Sequence, residues 1–554
     1  VPLYFGESGR RLVRGLSIGR IDTWRVFGAA PDRLLVAPTD LRIADPYVAQ
    51  EIHAGRFPLA GEVLETEGGS PFVMAPPSRG FAEALHGFRW LRHLRAANTQ
   101  DAFDNARMLT DNWIETSGGA AGAAWDPHVT AKRVLAWLSH SPTVLKRQDR
   151  GFYKRFVRSL VQQTRYLRRK APLMRTGESR FRVHMALAMA TLAMPASPAA
   201  IKAAARRLDQ ELTRQLLSDG GHASRNPQVA MTVLADLLPL RQTYLNLGHT
   251  PPKTLVSSVD RMFQTLRFFR HADGALALFN GCAAQPADRM LSVMRYDESG
   301  GEPLKHTPQM HYQRLAAGGT IILADTGCAP SGELSTTAHA GCLSFEMSSG
   351  SNRFIVNCGA PTFMRSRFGR LARATAAHST LTVDDTSSAM VSTSRFLGPV
   401  IVGGPRTVEV QRRDEASGQQ GFVARHDGFV RRFGLIHERS ITLSANGNVI
   451  SGRDRLAESE RYKLAIEQKT PAAIRFHIHP KITLSRDHEN RILLTAPGGE
   501  AWAFRCADIV ADIEEDIFFA DLAGPRLSGQ IVVHFAIAQT SDISWTLTRL
   551  PSPH

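Results

Sequence analysis

Residues 474–479 read Ile474-Arg475-Phe476-His477-Ile478-His479, apolar side chains alternating with polar ones. A period of two places the apolar set on one face of an extended strand and the polar set on the other. The same period recurs at Thr320–Asp325 (TIILAD), Arg353–Val356 (RFIV), Thr380–Val383 (TLTV) and Gly529–Ile537 (GQIVVHFAI). Turn signals such as Asn446-Gly447 and Gly498-Gly499 punctuate these runs. From about residue 305 onward the chain reads as antiparallel β-structure, most simply a large sandwich.

Upstream the period is helical. Phe152, Phe156, Leu160 and Leu167 fall on one face, with Lys154, Arg155, Arg158 and Arg165 outside it. Residues Ile201–Leu217 form an amphipathic run, and Gly220-Gly221 supplies its stop. Further helices are expected at Arg182–Met194, Gln228–Leu247 and Thr254–Phe269. Short polar or Pro/Gly segments join them, which favours antiparallel neighbours. The expected division is an all-α part over residues 1–305 and an all-β part over residues 306–554.

Composition narrows the classes. With 554 residues, 43% hydrophobic and 21% charged, the chain can bury a large core and is neither disordered nor fibrous as a whole. No run of apolar residues is long enough to span a bilayer. Five scattered cysteines (Cys282, Cys328, Cys342, Cys358, Cys506) exclude a disulfide scaffold. Lys and Arg number 67 against 51 Asp and Glu, a formal charge of +16 that attracts polyanions. No helix-turn-helix, zinc-finger or RNP pattern accompanies it, so nucleic acid is not the expected partner. Residues 1–30 hold no apolar export-signal core. Phe88–Arg95 (FRWLRHLR) interleaves aromatic and basic groups and reads as a core helix with a basic outer face.

Three stretches carry chemistry. Asp219-Gly220-Gly221-His222-Ala223-Ser224-Arg225-Asn226-Pro227 presents an imidazole, a guanidinium and an amide from one loop, groups suited to binding a carboxylate or moving a proton. Thr336–Glu346 (TTAHAGCLSFE) and Ala376–Asp384 (AAHSTLTVD) each place a histidine just before a strand. His339 and His378, with Asn357 or Cys358 from the turn between them, could close a metal site of imidazole plus oxygen or sulfur. His437-Glu438-Arg439 reads as a buried polar network inside the sandwich, and Asp384-Asp385 as a turn.

Several ordered segments together resemble the bacterial heparinase II/III-like polysaccharide lyases. AHAGCLSFEM is similar to that family's His-Ala-Asp-x-Leu-Ser-Phe strand, FIVNCG to its Val-Asp-x-Gly turn, and RATAAHSTLTVDD to its Arg-Ser-Thr-x-x-His-Asn-Thr segment. HYQRLAAGGTIILADTG, IHERSITLS and FHIHP match further strands, and LSDGGHASRNP matches the Asp-Gly-Gly-His loop. The resemblance implies an N-terminal incomplete (α/α) toroid followed by a C-terminal antiparallel β-sandwich. It also implies a carbon–oxygen lyase that cleaves uronic-acid polysaccharide by β-elimination in a cleft between the two parts. The implied partner is an acidic polysaccharide, with no organic cofactor, and the implied compartment is the cell envelope or periplasm, the cytoplasm being the alternative.

That chemistry needs a donor to neutralise the uronate carboxylate, a base for the C5 proton and an acid for the leaving oxygen. The resemblance implies a structural zinc on His339, His378 and position 357. The family's aspartate there is Asn357 in this chain, and a neutral amide binds zinc poorly. At the family's catalytic histidine stands Thr337, and at its catalytic tyrosine Val229. Two readings follow. A diverged lyase would use His222 as base or acid, Arg225 and Asn226 for the carboxylate, and Tyr312 reaching from the first strand. A binding or regulatory protein would keep the cleft and lose turnover. A hydrolase, needing paired carboxylates such as Asp219 and Glu302, is the weaker third.

Overall fold

The computed structural model describes residues 3–9, 11, 33–118, 122–146, 149–361, 367–460, 470–507 and 509–551. The chain forms two compact units. One holds the described residues up to Leu216 together with 232–260 and 291–297; the other holds 217–231, 261–290 and the described residues from 298 onward. The α-then-β order is as expected, but the units interleave along the chain. The Asp219–Pro227 loop and the segment 261–290 fold with the strands.

The longer helices among the described residues include α1 Pro46–His53, α2 Arg79–His86, α3 Leu91–Ala97, α4 Gln100–Ser117, α5 Pro127–Ser139 and α6 Arg150–Lys170. They continue as α7 Glu178–Ala193, α8 Pro198–Gln215, α9 Pro227–Asn246, α10 Leu255–Phe269 and α11 Ala287–Met294. Their starts are written locally. Asp45, Asp126 and Ser197 cap α1, α5 and α8 by accepting backbone N–H bonds, with proline following each cap. The helical core gathers Trp113, Trp125 and Trp137 around Phe88, and the Arg133 guanidinium lies 3.9 Å over the Trp113 ring. A second interior feature is ionic: Asp236 on α9 accepts bonds from Arg42 (2.5 Å), Arg182 (3.2 Å) and Arg89 (3.4 Å). The helix expected from Phe88 instead starts at Leu91. Phe88 takes φ 56°, and this turn buries Phe88 and Trp90 while sending Arg89 to Asp236.

Strands β1 Arg56–Leu59 and β2 Glu62–Glu65 form a hairpin in the helical unit. The β-unit starts with β3 His306–Thr307, β4 Tyr312–Ala317, β5 Thr320–Asp325, β6 Phe345–Ser349, β7 Asn352–Val356 and β8 Leu381–Val383. Next come β9 Met390–Val391, β10 Ile401–Gly403, β11 Val408–Asp414, β12 Gln420–Phe429, β13 Leu435–Leu443 and β14 Val449–Glu458. The last are β15 Pro471–Ile478, β16 Thr483–Arg486, β17 Ile492–Thr495, β18 Ala501–Cys506, β19 Asp512–Phe518, β20 Arg526–Ala536 and β21 Asp542–Arg549. One sheet runs β11-β12-β13-β14-β21-β18-β17-β16. The other runs β19-β20-β15-β7-β6-β5-β4-β3, with β8 also paired to β15.

The two sheets share one core. Phe345 of β6 stacks on Trp545 of β21 at 5.6 Å between centroids, and Phe476 of β15 meets Phe504 of β18 at 5.0 Å. Along β13 every second residue is buried, as period two demands. His437 and Arg439 point inward from it onto Asp454, at 2.8 and 2.7 Å, and the Trp545 indole donates to the same carboxylate. The expected sandwich network is therefore present. Asp384 and Asp385 take φ 49° and 45°, the positive values of a two-residue hairpin turn.

Candidate functional site

The Asp219–Pro227 loop is fastened to the start of the first long strand. Asp219 Oδ2 accepts the backbone N–H groups of Gln309 and Met310 at 2.9 and 2.8 Å. Gly220 has φ 86°, and a Cβ there would lie 2.1 Å from the Arg261 carbonyl oxygen. A Cβ on Gly221 would overlap the Met310 sulfur. Only the glycine pair lets the loop approach this closely. The His222 ring nitrogen Nδ1 accepts from the Ser224 backbone N–H at 3.1 Å and faces the Ser224 hydroxyl at 2.8 Å.

Arg225 is the hub. It takes φ 58°, and its guanidinium donates to the carbonyls of Met310 (2.7 Å), Gly327 (3.2 Å), Cys328 (2.8 Å) and His311 (3.2 Å) and to Asp325 Oδ1 (2.5 Å). Burial opposes its charge, but the Asp325 carboxylate more than compensates and holds its pKa above the usual arginine value. The guanidinium also lies 4.6 Å over the Tyr312 ring. The Tyr312 hydroxyl donates to the Arg225 carbonyl at 2.8 Å and accepts from Asn280 Nδ2 at 2.7 Å. Asn280 donates again to Asp325 Oδ2 at 3.1 Å, and its Oδ1 accepts the His339 backbone N–H at 3.3 Å.

One hydrogen-bonded network thus joins Arg225, Asp325, Tyr312, Asn280 and His339, and the loop residues His222 and Asn226 flank it. The structure brings the sequence-predicted residues together, all within the β-unit. It also puts them inside: His222 and Tyr312 are 1% and 0% exposed, and Arg225 and Asn226 are buried. Their polar groups have partners within the protein. Arg225 spends its donors on carbonyls and Asp325 rather than on a sugar carboxylate. Asn226 Oδ1 accepts the Gln228 N–H at 2.9 Å, ahead of α9, as a helix cap does. Burial, helped by the Asp325 charge, pushes the Tyr312 phenol up from its ordinary value. Val229 is buried, and Thr337, half-buried, has no group that titrates near neutral pH.

The metal donors implied by the resemblance are differently occupied. His378 Nδ1 lies 2.7 Å from the Ala374 carbonyl, which can only accept, so Nδ1 carries the proton. Its Nε2 then accepts from His339 Nδ1 at 3.0 Å. Burial lowers both imidazole pKa values, that of His378 to about 4, keeping the pair neutral. Asn357 uses both ends of its amide: Oδ1 accepts from the Ser379 N–H at 3.1 Å and Nδ2 donates to Glu346 at 3.2 Å. Glu346 in turn bonds His271 Nε2 at 3.0 Å. In this structure the two imidazoles bond each other, and the Asn357 amide bonds Ser379 and Glu346.

Sequence reasoning missed Asp325 and Asn280, the links of the network. Their signals were an acid ending the TIILAD strand and an Asn-Gly pair, Asn280 taking φ 50°. It also missed an open cleft of about 610 Å³ lined in part by Asp273, Arg353, His479, Lys481, Asp521 and Arg526. Two of its three cations are paired, Arg353 with Asp273 at 2.9 Å and Arg526 with Asp521 at 3.4 Å.

The family model described as heparinase II/III-like, C-terminal, matches residues 299–546. FtsZ-localized protein C of Caulobacter vibrioides is 30% identical over 569 residues, covering 97% of this chain and 96% of that protein. The chain belongs to the heparinase II/III-like family. Solved structures agree on the fold. Heparinase III superposes with a TM-score of 0.71 at 12% identity, over 96% of this chain and 88% of that one. Heparan sulfate lyase HepC of Pedobacter heparinus gives 0.61 at 15% identity, over 94% and 86%. The incomplete toroid followed by a β-sandwich is therefore the fold of this heparinase II/III-like chain. At these identities the likeness to the solved structures speaks to the fold alone.

Proposed function

We propose that this chain keeps the lyase scaffold without the elimination chemistry and acts as a non-cleaving protein associated with FtsZ. One observation carries the first half. The residues matching the family's reactive positions, Val229 and Thr337, cannot move a proton near neutral pH, and the groups around them are buried and bonded to one another. β-Elimination requires a base and an acid that touch the sugar. The second half rests on a relative named for its localization with FtsZ and related to this chain along nearly its whole length. It favours the cytoplasmic alternative for the compartment.

Two assays on the full chain test this. Sedimentation with polymerised FtsZ should bring the chain into the pellet in a polymer-dependent way. Incubation with uronic-acid polysaccharides should produce no ultraviolet absorbance from an unsaturated product. Absence from the pellet removes the FtsZ reading, and protein-dependent absorbance restores the lyase. A second reading, binding of an acidic polysaccharide without cleavage, is favoured by the cleft around Arg353, Lys481 and Arg526. Binding to alginate or heparan sulfate that is lost in Lys481→Glu, with no pelleting by FtsZ, would make it the better account.

A further inference from the structure

Cys358, His477 and Asp516 bring three potential ligand atoms together. Among the described residues they are the only group of three His, Cys, Asp or Glu side chains whose ligand atoms converge closely enough to share one ion. Cys358 Sγ is 3.2 Å from His477 Nδ1, His477 Nδ1 is 2.7 Å from Asp516 Oδ2, and Cys358 Sγ is 3.5 Å from Asp516 Oδ2. Ligands bound tetrahedrally to one zinc at about 2.0–2.3 Å stand about 3.3–3.6 Å apart, so small outward shifts would open this triangle around an ion.

We propose that Cys358, His477 and Asp516 form a zinc site that clips together the turn after β7, the end of β15 and the end of β19. The alternative chemistry for such a trio is a nucleophilic relay. The geometry argues against it, because a relay needs the thiol on one ring nitrogen and the carboxylate on the other. Here both converge on Nδ1. A single ring nitrogen offers one proton or one lone pair, so it serves one of the two partners well. An ion at their common point engages all three donors at once.

Charge and surroundings agree with zinc. A thiolate and a carboxylate balance the ion's two charges, and the neutral imidazole adds none. A neutral centre suits this place, because Cys358 packs in an apolar cluster with Ala372, Ala377 and Phe519. Mixed sulfur, nitrogen and oxygen donors favour zinc over calcium or magnesium. The Asp516 side chain is 14% exposed, which leaves a side for entry and for water as fourth ligand. The backbone holds the donors in place. Cys358 N–H donates to the Ala377 carbonyl at 3.1 Å, the Cys358 carbonyl accepts from Phe519 N–H at 2.8 Å, and His477 N–H donates to Ser379 Oγ at 2.9 Å. On binding, the thiol proton leaves to solvent and a sulfur–zinc bond replaces it.

The test is metal analysis of the purified full chain after zinc loading and dialysis, with cobalt(II) as an optical probe. The expected result is one zinc per chain and a sulfur-to-cobalt charge-transfer band. Cys358→Ala and Asp516→Asn should each weaken zinc binding by about tenfold or more. His339→Gln should retain full occupancy. Chains without zinc after loading, or cobalt bound without the sulfur band, would overturn the site, and the wild-type cobalt spectrum decides even if a variant fails to fold. Zinc lost in His339→Gln but kept in Cys358→Ala would also overturn it, placing the ion on the other histidines.

Discussion

Arg225 shows how a residue that looks reactive can be structural. Its donors end on main-chain carbonyls and Asp325, and its side chain is buried. Removing the partner strands a charge that water cannot reach. Asp325→Ala should therefore destabilise the chain by about 3–5 kcal/mol, read as a lower urea midpoint. Asp454 and Asp236 extend the argument to pH. Burial opposes their ionised forms, yet Arg439 and His437 at Asp454, and Arg42, Arg89 and Arg182 at Asp236, hold both carboxyls well below the usual range. A carboxyl pKa depressed in the fold gives stability that is present above the unfolded value and lost as pH falls through the folded one. The melting temperature should fall on acidification below about pH 4, near the unfolded aspartate value. Asp454→Asn, which cannot ionise, should flatten that slope in a series of melts across pH. The loop residues of this site were legible in sequence because glycine, histidine and arginine cluster there. Their burial was not, because it depends on Asp325 and Asn280, distant in sequence and brought in by the fold.

At the level of elements, period decided most of the β-unit. Strand β13 alternates buried and partly exposed residues along its whole length, and the Asn446-Gly447 turn closes it onto β14. The helices Arg182–Met194 and Gln228–Leu247 fall within a residue or a few of α7 and α9, because buried apolar faces and caps are local signals. Phe88–Arg95 misled because its spacing is helical, while the partner that pulls Arg89 aside lies on α9. The interleaving of the units was illegible for a similar reason: residues 217–231 and 261–290 lie among helices in the sequence yet fold with the strands. Close packing between elements yields a sharp expectation at Gly452. A Cβ there would lie 2.0 Å from the Trp545 ring, in the middle of β14. Gly452→Ala should cost about 1–3 kcal/mol by overpacking, measured by chemical unfolding.

For the molecule as a whole, the excess of 67 basic over 51 acidic residues remains after the interior ion pairs are counted. A net charge of +16 makes association with any acidic partner steep in salt. Binding to FtsZ polymers or to an acidic polysaccharide should weaken by at least several-fold between 50 and 200 mM salt, as expected where charge neutralisation contributes (approximately) in this range. Salt-independent association would show that the contact is apolar instead. Family membership fixes the scaffold, while activity depends on particular side chains at the reacting atoms. The resemblance sets a valine and a threonine at those positions in this chain, and the proposed loss of cleavage rests on that. The most direct test of that claim is ultraviolet absorbance on incubating the folded wild-type chain with alginate, heparan sulfate, hyaluronan and polyglucuronate. The account predicts no increase over protein-free controls. A protein-dependent rise with any one of them, accompanied by unsaturated oligosaccharide, would contradict it.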